Sequence, residues 1–253
     1  MNYIGEHLFP GQLGHFFAVL SLVASLVATI AYFKANSLVV PTEKENWLRF
    51  ARAAFLVETI SVFSIFITLY FIISNHYYEY FYAWNHTSRA LQTRYLLASF
   101  WEGQEGSFML WSFWHCVLGW IFTWRTKKWE APVMTVISFA QFCIATMLVG
   151  IYITHTTKLG SDPFQLMRTA GILSNAPALH VNFDISQPVR LDYLSLIKDG
   201  NDLNSLLQNY WMVIHPPVLF LGFASTIIPF GFAYAGLANK DHSWTKISLS
   251  WTA

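Results

Sequence analysis

The stretch GHFFAVLSLVASLVATIAYF, residues 14–33, decides the fold. It contains no Asp, Glu, Lys or Arg, and about 20 mostly apolar residues in a helix are enough to cross a bilayer. Four further mostly apolar stretches run over Ala53–Ile73, Ser107–Trp124, Ala131–Thr154 and Trp211–Leu237. The sequence therefore predicts an all-α fold, a polytopic transmembrane helical bundle of about five spans. A sixth span is expected to begin near Lys246, so we expect the chain to be a fragment of a longer protein.

The composition supports this class of protein. Hydrophobic residues make up 55% of the 253 residues and charged residues only 11%, whereas soluble domains carry about 25% charged residues. The formal net charge of +1 predicts no attraction to nucleic acid. The sequence contains no GxSxG, Walker A, HExxH or CxxC pattern, so a hydrolase or an ATPase has no support.

Basic residues predict the orientation of a single transmembrane domain, residues 1–253. Nine of them fall in three short links, at about 34–52, 125–130 and 238–246, and the two long loops, at about 74–106 and 155–210, carry basic residues at a lower density. Cytoplasmic links carry an excess of Lys and Arg. The short links are therefore expected in the cytoplasm, and the N-terminus and both long loops outside.

His215 is the first candidate for chemistry, because Pro216 and Pro217 follow it directly. Proline fixes its own φ and disfavours helical geometry in the residue before it. We therefore expect His215 on a stiff bend at the membrane surface, where a neutral imidazole is available to a metal such as haem iron. The same pattern is also typical of the start of a helix, where proline is common.

The segment WEGQEGS, residues 101–107, is the second candidate. Its expected contact residues for a ligand or partner are Trp101, Gly103, Glu105, Gly106 and Ser107. Glycine permits close approach of the backbone, and Ser107 and Glu105 are candidates to cap the third helix. On its residues alone, the segment is more typical of a tight helix start.

Ionisable residues inside the spans form a third group. Glu58 is a functional hypothesis because burying a carboxylate in a membrane is costly, although it is also compatible with a neutral group bonded to a neighbouring helix. His15 and His115 are possible ligands or interhelical hydrogen-bonding groups. His86 lies in a loop dense in aromatic residues.

Four segments together resemble one family. They are LGHF (13–16), WEGQEGSFMLW (101–111), DPF (162–164), and DLNSLLQN (202–209) followed by IHPPVLFLG (214–222). In order and relative spacing they are similar to the cytochrome c maturation protein F family, the haem-handling membrane proteins of cytochrome c biogenesis. The chain departs from that pattern by an insertion at 165–201 and by Asn209 in place of Asp. It also lacks the family's tryptophan-rich segment and further histidines, which are expected beyond Ala253.

The resemblance implies a role. The family takes b-type haem from a periplasmic haem chaperone and joins its vinyl groups to the cysteines of apocytochrome c, together with other maturation subunits in the bacterial inner membrane. By this resemblance, His215 is an outer axial ligand of the haem iron. Pro216, Pro217 and the WEGQEGS segment are then contacts to haem or to a partner. Two other interpretations remain: a non-catalytic haem-delivery or docking scaffold, and an unrelated proton-coupled transporter that uses Glu58.

Overall fold

A computed structural model of the chain describes residues 3–152, 154 and 158–252. The α-helices of this part are α1 (Leu8–Ser37), α2 (Pro41–Ser74), α3 (Phe81–His86), α4 (Thr93–Ala98), α5 (Gln104–Arg125), α6 (Glu130–Val149), α7 (Tyr210–Ser225), α8 (Ile227–Asn239) and α9 (Trp244–Thr252). The strands β1 (Ile151–Tyr152) and β2 (Lys158–Leu159) pair antiparallel. Short 3-10 helices cover Met167–Thr169, Ile172–Asn175, Pro177–Leu179, Val181–Phe183, Tyr193–Leu196 and Ser205–Leu207. The prediction of an all-α helical bundle is confirmed.

Four helical stretches are long and apolar enough to cross a membrane, by length and composition within the described residues. They are Leu8–Ser37, Pro41–Ser74, Glu130–Val149 and Tyr210–Asn239, the last of which contains α7 and α8. The predicted third span forms the 22-residue helix α5, which is not among these four. Its four tryptophans and His115 make it less apolar than its neighbours. Four of the five predicted spans are therefore found as such helices, and the third remains a prediction for α5.

A stripe of small residues lets α1 pack against α2 and α6. Its buried positions recur every third or fourth residue, and they include Gly11, Gly14, Ala18, Ser21, Ser25, Ala28, Tyr32 and Ala35. Small side chains allow close approach of helix backbones in a membrane, where lipid is as apolar as the helices themselves. This stripe places the start of α1 directly beside the loops that carry the candidate sites.

The helices do not follow the apolar stretches residue by residue. Only residues 38–40 lie between α1 and α2, because α2 begins at Pro41, a favoured first residue, so most of the predicted link at 34–52 is helical. The predicted fourth span runs too far, because α6 ends at Val149 and Gly150 adopts a left-handed conformation with φ of 68°. Glycine is the common residue at that position after a helix. The helix α9 lies where the start of a sixth span was predicted.

The insertion at 165–201 is ordered around a small apolar cluster of its own. Met167, Leu173 and Tyr193 are buried there. The Tyr193 hydroxyl donates to Glu6 Oε1 at 2.9 Å, and Arg168 Nε donates to the same oxygen at 2.8 Å. The insertion therefore holds the segment that precedes α1. Residues 155–157, where the second long loop was predicted to begin, lie outside the described residues.

Both long loops lie at the same end of the bundle. The Phe81 amide donates to the Gln165 carbonyl at 2.9 Å, and the Asn201 amide donates to the Trp84 carbonyl at 2.7 Å. The Tyr80 hydroxyl accepts from the Gly11 amide at 2.8 Å, which joins the first loop to α1. Since α5 and α7 begin at this end as well, all candidate sites except the buried Glu58 and His115 lie there. That this end faces outward remains a prediction.

Candidate functional site

One hydrogen bond joins the WEGQEGS segment to the His-Pro-Pro segment. Trp101 Nε1 donates to the Met212 carbonyl oxygen at 2.7 Å. In an uninterrupted helix this carbonyl accepts from the amide of residue 216, but Pro216 has no N–H. The indole therefore supplies the donor that proline removes. A second indole, from Trp114 in α5, donates to the Pro217 carbonyl at 2.9 Å, so that α5 and the turn before it hold α7 at two points.

The predicted bend at His215 is wrong, because α7 begins five residues earlier. The Asn209 side chain accepts from the Met212 amide at 3.1 Å and caps the helix at its start. Pro216 and Pro217 therefore fall inside a continuing helix. The Trp101 contact explains how the helix tolerates the first of these prolines.

The His215 side chain is exposed on an apolar face of α7. Trp211 precedes it by four residues, and Val218 and Leu219 follow it by three and four, which places all of them on one face. These three side chains are 70%, 60% and 40% exposed. A flat apolar ligand that lies on this face contacts the His215 imidazole at the centre of the face.

The WEGQEGS segment begins as a turn and continues from Gln104 as the first residues of α5. Gly103 is the residue before the first helical position, and Gly103 and Gly106 are both buried. A β-carbon at Gly106 would overlap the Phe100 carbonyl oxygen. The interpretation as a tight helix start is confirmed. The prediction that Ser107 and Glu105 cap this helix is wrong, because no side chain caps it.

The Tyr82 hydroxyl donates hydrogen bonds to backbone carbonyl groups just before this turn. It lies 2.9 Å from the Phe100 carbonyl oxygen and 3.0 Å from that of Ser99. Burial raises the pKa of the Tyr82 hydroxyl, so that it remains a hydrogen-bond donor. His86 packs on the Tyr82 ring, with 4.5 Å between centroids, and its Nδ1 lies 2.8 Å from Glu102 Oε2. In the sequence, only the aromatic residues around His86 indicated this arrangement. The pairing of His86 with Glu102 was not predicted.

Glu58 and His115 are buried between helices. Glu58 Oε1 accepts from Gln141 Nε2 at 2.5 Å, and the same nitrogen lies 3.1 Å from the Ser112 carbonyl. The interpretation of Glu58 as bonded to a neighbouring helix is confirmed. His115 is 2% exposed, and in the described part of the chain neither of its ring nitrogens has a hydrogen-bond partner. Its prediction as an interhelical hydrogen-bonding group is not met.

His15 pairs with a residue far along the chain. Its Nδ1 lies 2.7 Å from Asp162 Oδ2, across a separation of 147 residues. Two of the four segments that carry the resemblance, LGHF and DPF, therefore meet at the start of α1. The other two segments meet through Trp101 and Met212. The sequence singled out all four segments but gave no signal for which pairs would meet.

Among the described residues, the histidines do not come together with two other potential metal ligands. Within residues 3–152, 154 and 158–252, no three side chains of His, Cys, Asp or Glu come together to hold a metal ion. Haem iron takes four nitrogens from the porphyrin and needs only axial ligands from protein. His215 and His15 are both exposed at the loop end, and each is held, His215 through its backbone and His15 through its ring. His7 at the same end is likewise exposed, and its ring is held by Glu79 and stacked on Tyr77.

Comparisons with known proteins agree with this geometry. The family model described as cytochrome c assembly protein matches residues 101–252. The cytochrome c-type biogenesis protein CcmF of Pseudomonas fluorescens is 28% identical over 68% of this chain and 22% of its own length. The CcmF of Haemophilus influenzae is 25% identical over 95% of this chain and 32% of its own length.

A solved structure also matches. The protein described as cytochrome c haem lyase CcmF has a TM-score of 0.67 with 19% identity, and the match covers all of this chain and 34% of that one. This likeness shows a shared fold. The chain thus spans about a third of the matched structure and less than a third of the curated relatives in this comparison. Because the family model covers more than half of its residues, this chain belongs to the cytochrome c assembly protein family.

Proposed function

We propose that this chain is a haem-binding membrane component of cytochrome c biogenesis, and that His215 is an axial ligand of the haem that is handled as cargo. The observation that carries this proposal is the exposed His215 side chain on an apolar face of α7. The family assignment supplies the process, and the relatives named for cytochrome c biogenesis supply the substrate class.

The helix α7 suits this task because its position is fixed. Trp101 and Trp114 bond to carbonyl groups on either side of His215, at Met212 and Pro217. A ligand residue that is held by its neighbours loses less freedom when it binds its target. In this proposal, the WEGQEGS turn acts on haem through α7, and Gly103, Glu105, Gly106 and Ser107 shape the turn that positions Trp101.

The proposed setting follows from the predicted orientation. The loop end of the bundle faces outward from the bacterial inner membrane, with the N-terminus on the same side. Haem then arrives from a periplasmic haem chaperone and leaves on apocytochrome c, within an assembly of other maturation subunits. Haem supplies the vinyl groups for attachment, and the cysteines come from the apocytochrome. The part of this chain is to bind and orient the porphyrin.

Haem binding by the purified chain tests the proposal. We expect ferric protoporphyrin IX to give a Soret shift with the unaltered chain, and His215→Ala to reduce the bound haem. The matched control is His242→Ala, because His242 is also exposed but lies in the link after α8, at the opposite end. Equal haem binding by all three proteins would show that His215 is not a ligand.

A docking scaffold without haem contact is the second candidate, and the ordered insertion favours it. The 165–201 segment presents a folded surface at the loop end, built on Tyr193 and its bond to Glu6. In this case, His215→Ala leaves cytochrome maturation unchanged in cells whose cytochrome maturation depends on this protein. Deletion of the insertion abolishes it.

A further inference from the structure

An open apolar groove runs between α2 and α5, in the half of α5 that is farther from the WEGQEGS turn. Its volume is about 430 Å³. A volume of several hundred Å³ with a mostly apolar lining is typical of a small-molecule site. The lining includes Leu56 and Phe63 from α2, and Val117, Ile121 and Trp124 from α5.

Contacts along the floor of this groove hold the two helices together. Gly119 lies so close to the Phe55 ring that a β-carbon there would overlap it. Trp120 Nε1 donates to Thr59 Oγ1 at 2.9 Å, so the indole on the floor is already satisfied. What the groove presents to a ligand is therefore apolar surface.

The two ends of the groove differ. At the end nearer the loops, Phe113 packs on Phe63 and Phe66, with ring centroids 5.2 Å and 5.8 Å away, and closes the groove. At the other end, Trp124 is 73% exposed and α5 ends at Arg125. A ligand with an apolar tail and a polar head therefore has one orientation in this groove, with the head beside the end of α5.

The length of the groove suits a lipid tail. A helix rises 1.5 Å per residue, so Phe113 and Arg125 are about 18 Å apart along α5. The hydrocarbon core of a bilayer is about 30 Å thick, which gives each leaflet about 15 Å. An acyl chain that enters beside Arg125 thus reaches the aromatic closure at about the depth of one leaflet.

Arg125 is available for the head group of such a lipid. It follows Ile121 by one helical turn and Val117 by two, which places it on the groove face of α5. Its side chain is exposed, and among the described residues no hydrogen bond, ion pair or ring contact engages it. A guanidinium binds phosphate with two parallel hydrogen bonds.

The carboxylates at this end are paired with another arginine. Arg52, one turn before Leu56 on α2, donates to both oxygens of Glu130 at 2.6 Å and 2.7 Å. Its Nη1 also lies 3.6 Å from Glu45 Oε1. Because Arg52 pairs with both carboxylates, the charge of Arg125 is left for a ligand.

We infer that this groove binds an anionic phospholipid, whose phosphate pairs with Arg125 and whose acyl tail lies between α2 and α5 as far as Phe63. Basic pockets between transmembrane helices bind acidic lipid head groups in this way. An uncharged lipid fills the groove but leaves Arg125 unpaired. The site uses no residue of the haem proposal, so the two proposals can fail separately.

The test uses the full chain in a neutral detergent, titrated with phosphatidylglycerol or phosphatidylcholine, with bound lipid counted by native mass spectrometry. We expect one tightly bound phosphatidylglycerol and weaker binding of phosphatidylcholine, which has no net charge. Arg125→Gln should weaken phosphatidylglycerol binding about fivefold, the effect of one Lys or Arg near an anionic lipid surface. The matched control is Lys34→Gln, which removes the same charge at the same end of the bundle but on α1.

A second variant fills the groove without changing any charge. Ile121→Trp places a larger side chain where the tail lies, and it should reduce phosphatidylglycerol binding at least as much as Arg125→Gln. Its control is Leu26→Trp, because Leu26 is 39% exposed on α1 and does not line the groove. A phosphatidylglycerol with a photoreactive tail should cross-link to Leu56 or Val117 in the unaltered chain.

Each contrary result overturns the proposal. Equal losses in Arg125→Gln and Lys34→Gln would show a general attraction of anionic lipid to this end of the bundle. Unchanged binding in Ile121→Trp would place the tail elsewhere, and equal affinity for the two lipids would show that the head group is not recognised. An unaltered chain that retains no lipid would also refute the site. Haem binding should be the same in all four variants, so these results leave the role of His215 untouched.

Discussion

The two histidine sites at the loop end are built in opposite ways. At the first, the side chain of His215 is exposed, and the structure holds its backbone through the bonds of Trp101 and Trp114 to α7. At the second, the ring of His15 is held directly by Asp162 at 2.7 Å. A ligand that is held by its backbone can still rotate its ring to meet cargo in several positions. A ligand that is held by its ring accepts one orientation.

This difference suggests a division of roles under the proposed function. His15 lines a cavity beside the start of α1, and Asp162 fixes its ring. His215 lies on an open apolar face, which suits contact with haem that must also meet a partner protein. Variants that disrupt the contacts holding one histidine should therefore leave the position of the other histidine unchanged.

The largest expected effect is at Gly106. Gly106→Ala places a β-carbon on the Phe100 carbonyl oxygen, a backbone atom that cannot move aside without shifting the turn. Overpacking of this kind costs about 1–3 kcal/mol, and we expect the upper end or more. The free energy of unfolding in a denaturant titration measures it. Gly222→Ala is the matched control in α7, because no atom lies within 4 Å of a β-carbon there. An equal response of the two variants would contradict the packing argument.

The next effect is the coupling of Trp101 to Pro216. Trp101→Phe leaves the Met212 carbonyl without its donor and should cost about 1–3 kcal/mol, the usual penalty for an unpaired buried group. In a Pro216→Ala background, the amide of residue 216 supplies that donor, so that Trp101→Phe should cost at least about 1 kcal/mol less. A double-mutant cycle on unfolding measures this coupling. Trp124→Phe serves as control because Trp124 is 73% exposed, and strict additivity in the cycle would refute the coupling.

Substitutions of Glu58 should have a smaller effect on stability, and its size depends on whether the new side chain keeps a hydrogen-bond acceptor. Glu58→Gln keeps an oxygen for Gln141 Nε2 and should change stability by less than about 1 kcal/mol. Glu58→Ala removes the acceptor of a buried donor and should cost about 1–3 kcal/mol. Cytochrome maturation in cells that depend on this protein should survive Glu58→Gln. Its loss in that variant, together with normal maturation in His215→Ala, would favour the proton-coupled transporter.

The smallest effect is at the opposite end of the bundle. The Lys128 ammonium donates to Asp241 Oδ2 at 2.6 Å and lowers the pKa of that carboxyl to about 2. A lowered pKa contributes stability above the unfolded value of about 3.9 and loses it as pH falls through about 2. Lys128→Met should therefore lower the unfolding temperature slightly at neutral pH and not at pH below 2. Lys127→Met is the control, and haem binding should be unchanged in both variants.

The sequence was enough to predict the bundle and most of its helices, because apolar stretches of sufficient length have few alternatives. It was also enough to single out His215 and the WEGQEGS segment. The His215 bend was wrong because local proline rules cannot include Trp101, which satisfies the Met212 carbonyl from the turn before α5. The His15–Asp162 pair joins residues 147 apart. The ordered insertion depends on contacts of Tyr193 with Glu6, near the other end of the chain. Such contacts depend on tertiary packing, which local sequence patterns do not predict.

The most direct test of the central claim is the iron–imidazole stretching band in resonance Raman spectra of the ferrous haem complex. It is measured in a His15→Ala background, so that the His15 ring cannot supply the ligand instead. We predict that the band is present in His15→Ala and absent when His215→Ala is added. Persistence of the band in the double variant, at the same intensity per haem, would show that His215 is not the ligand.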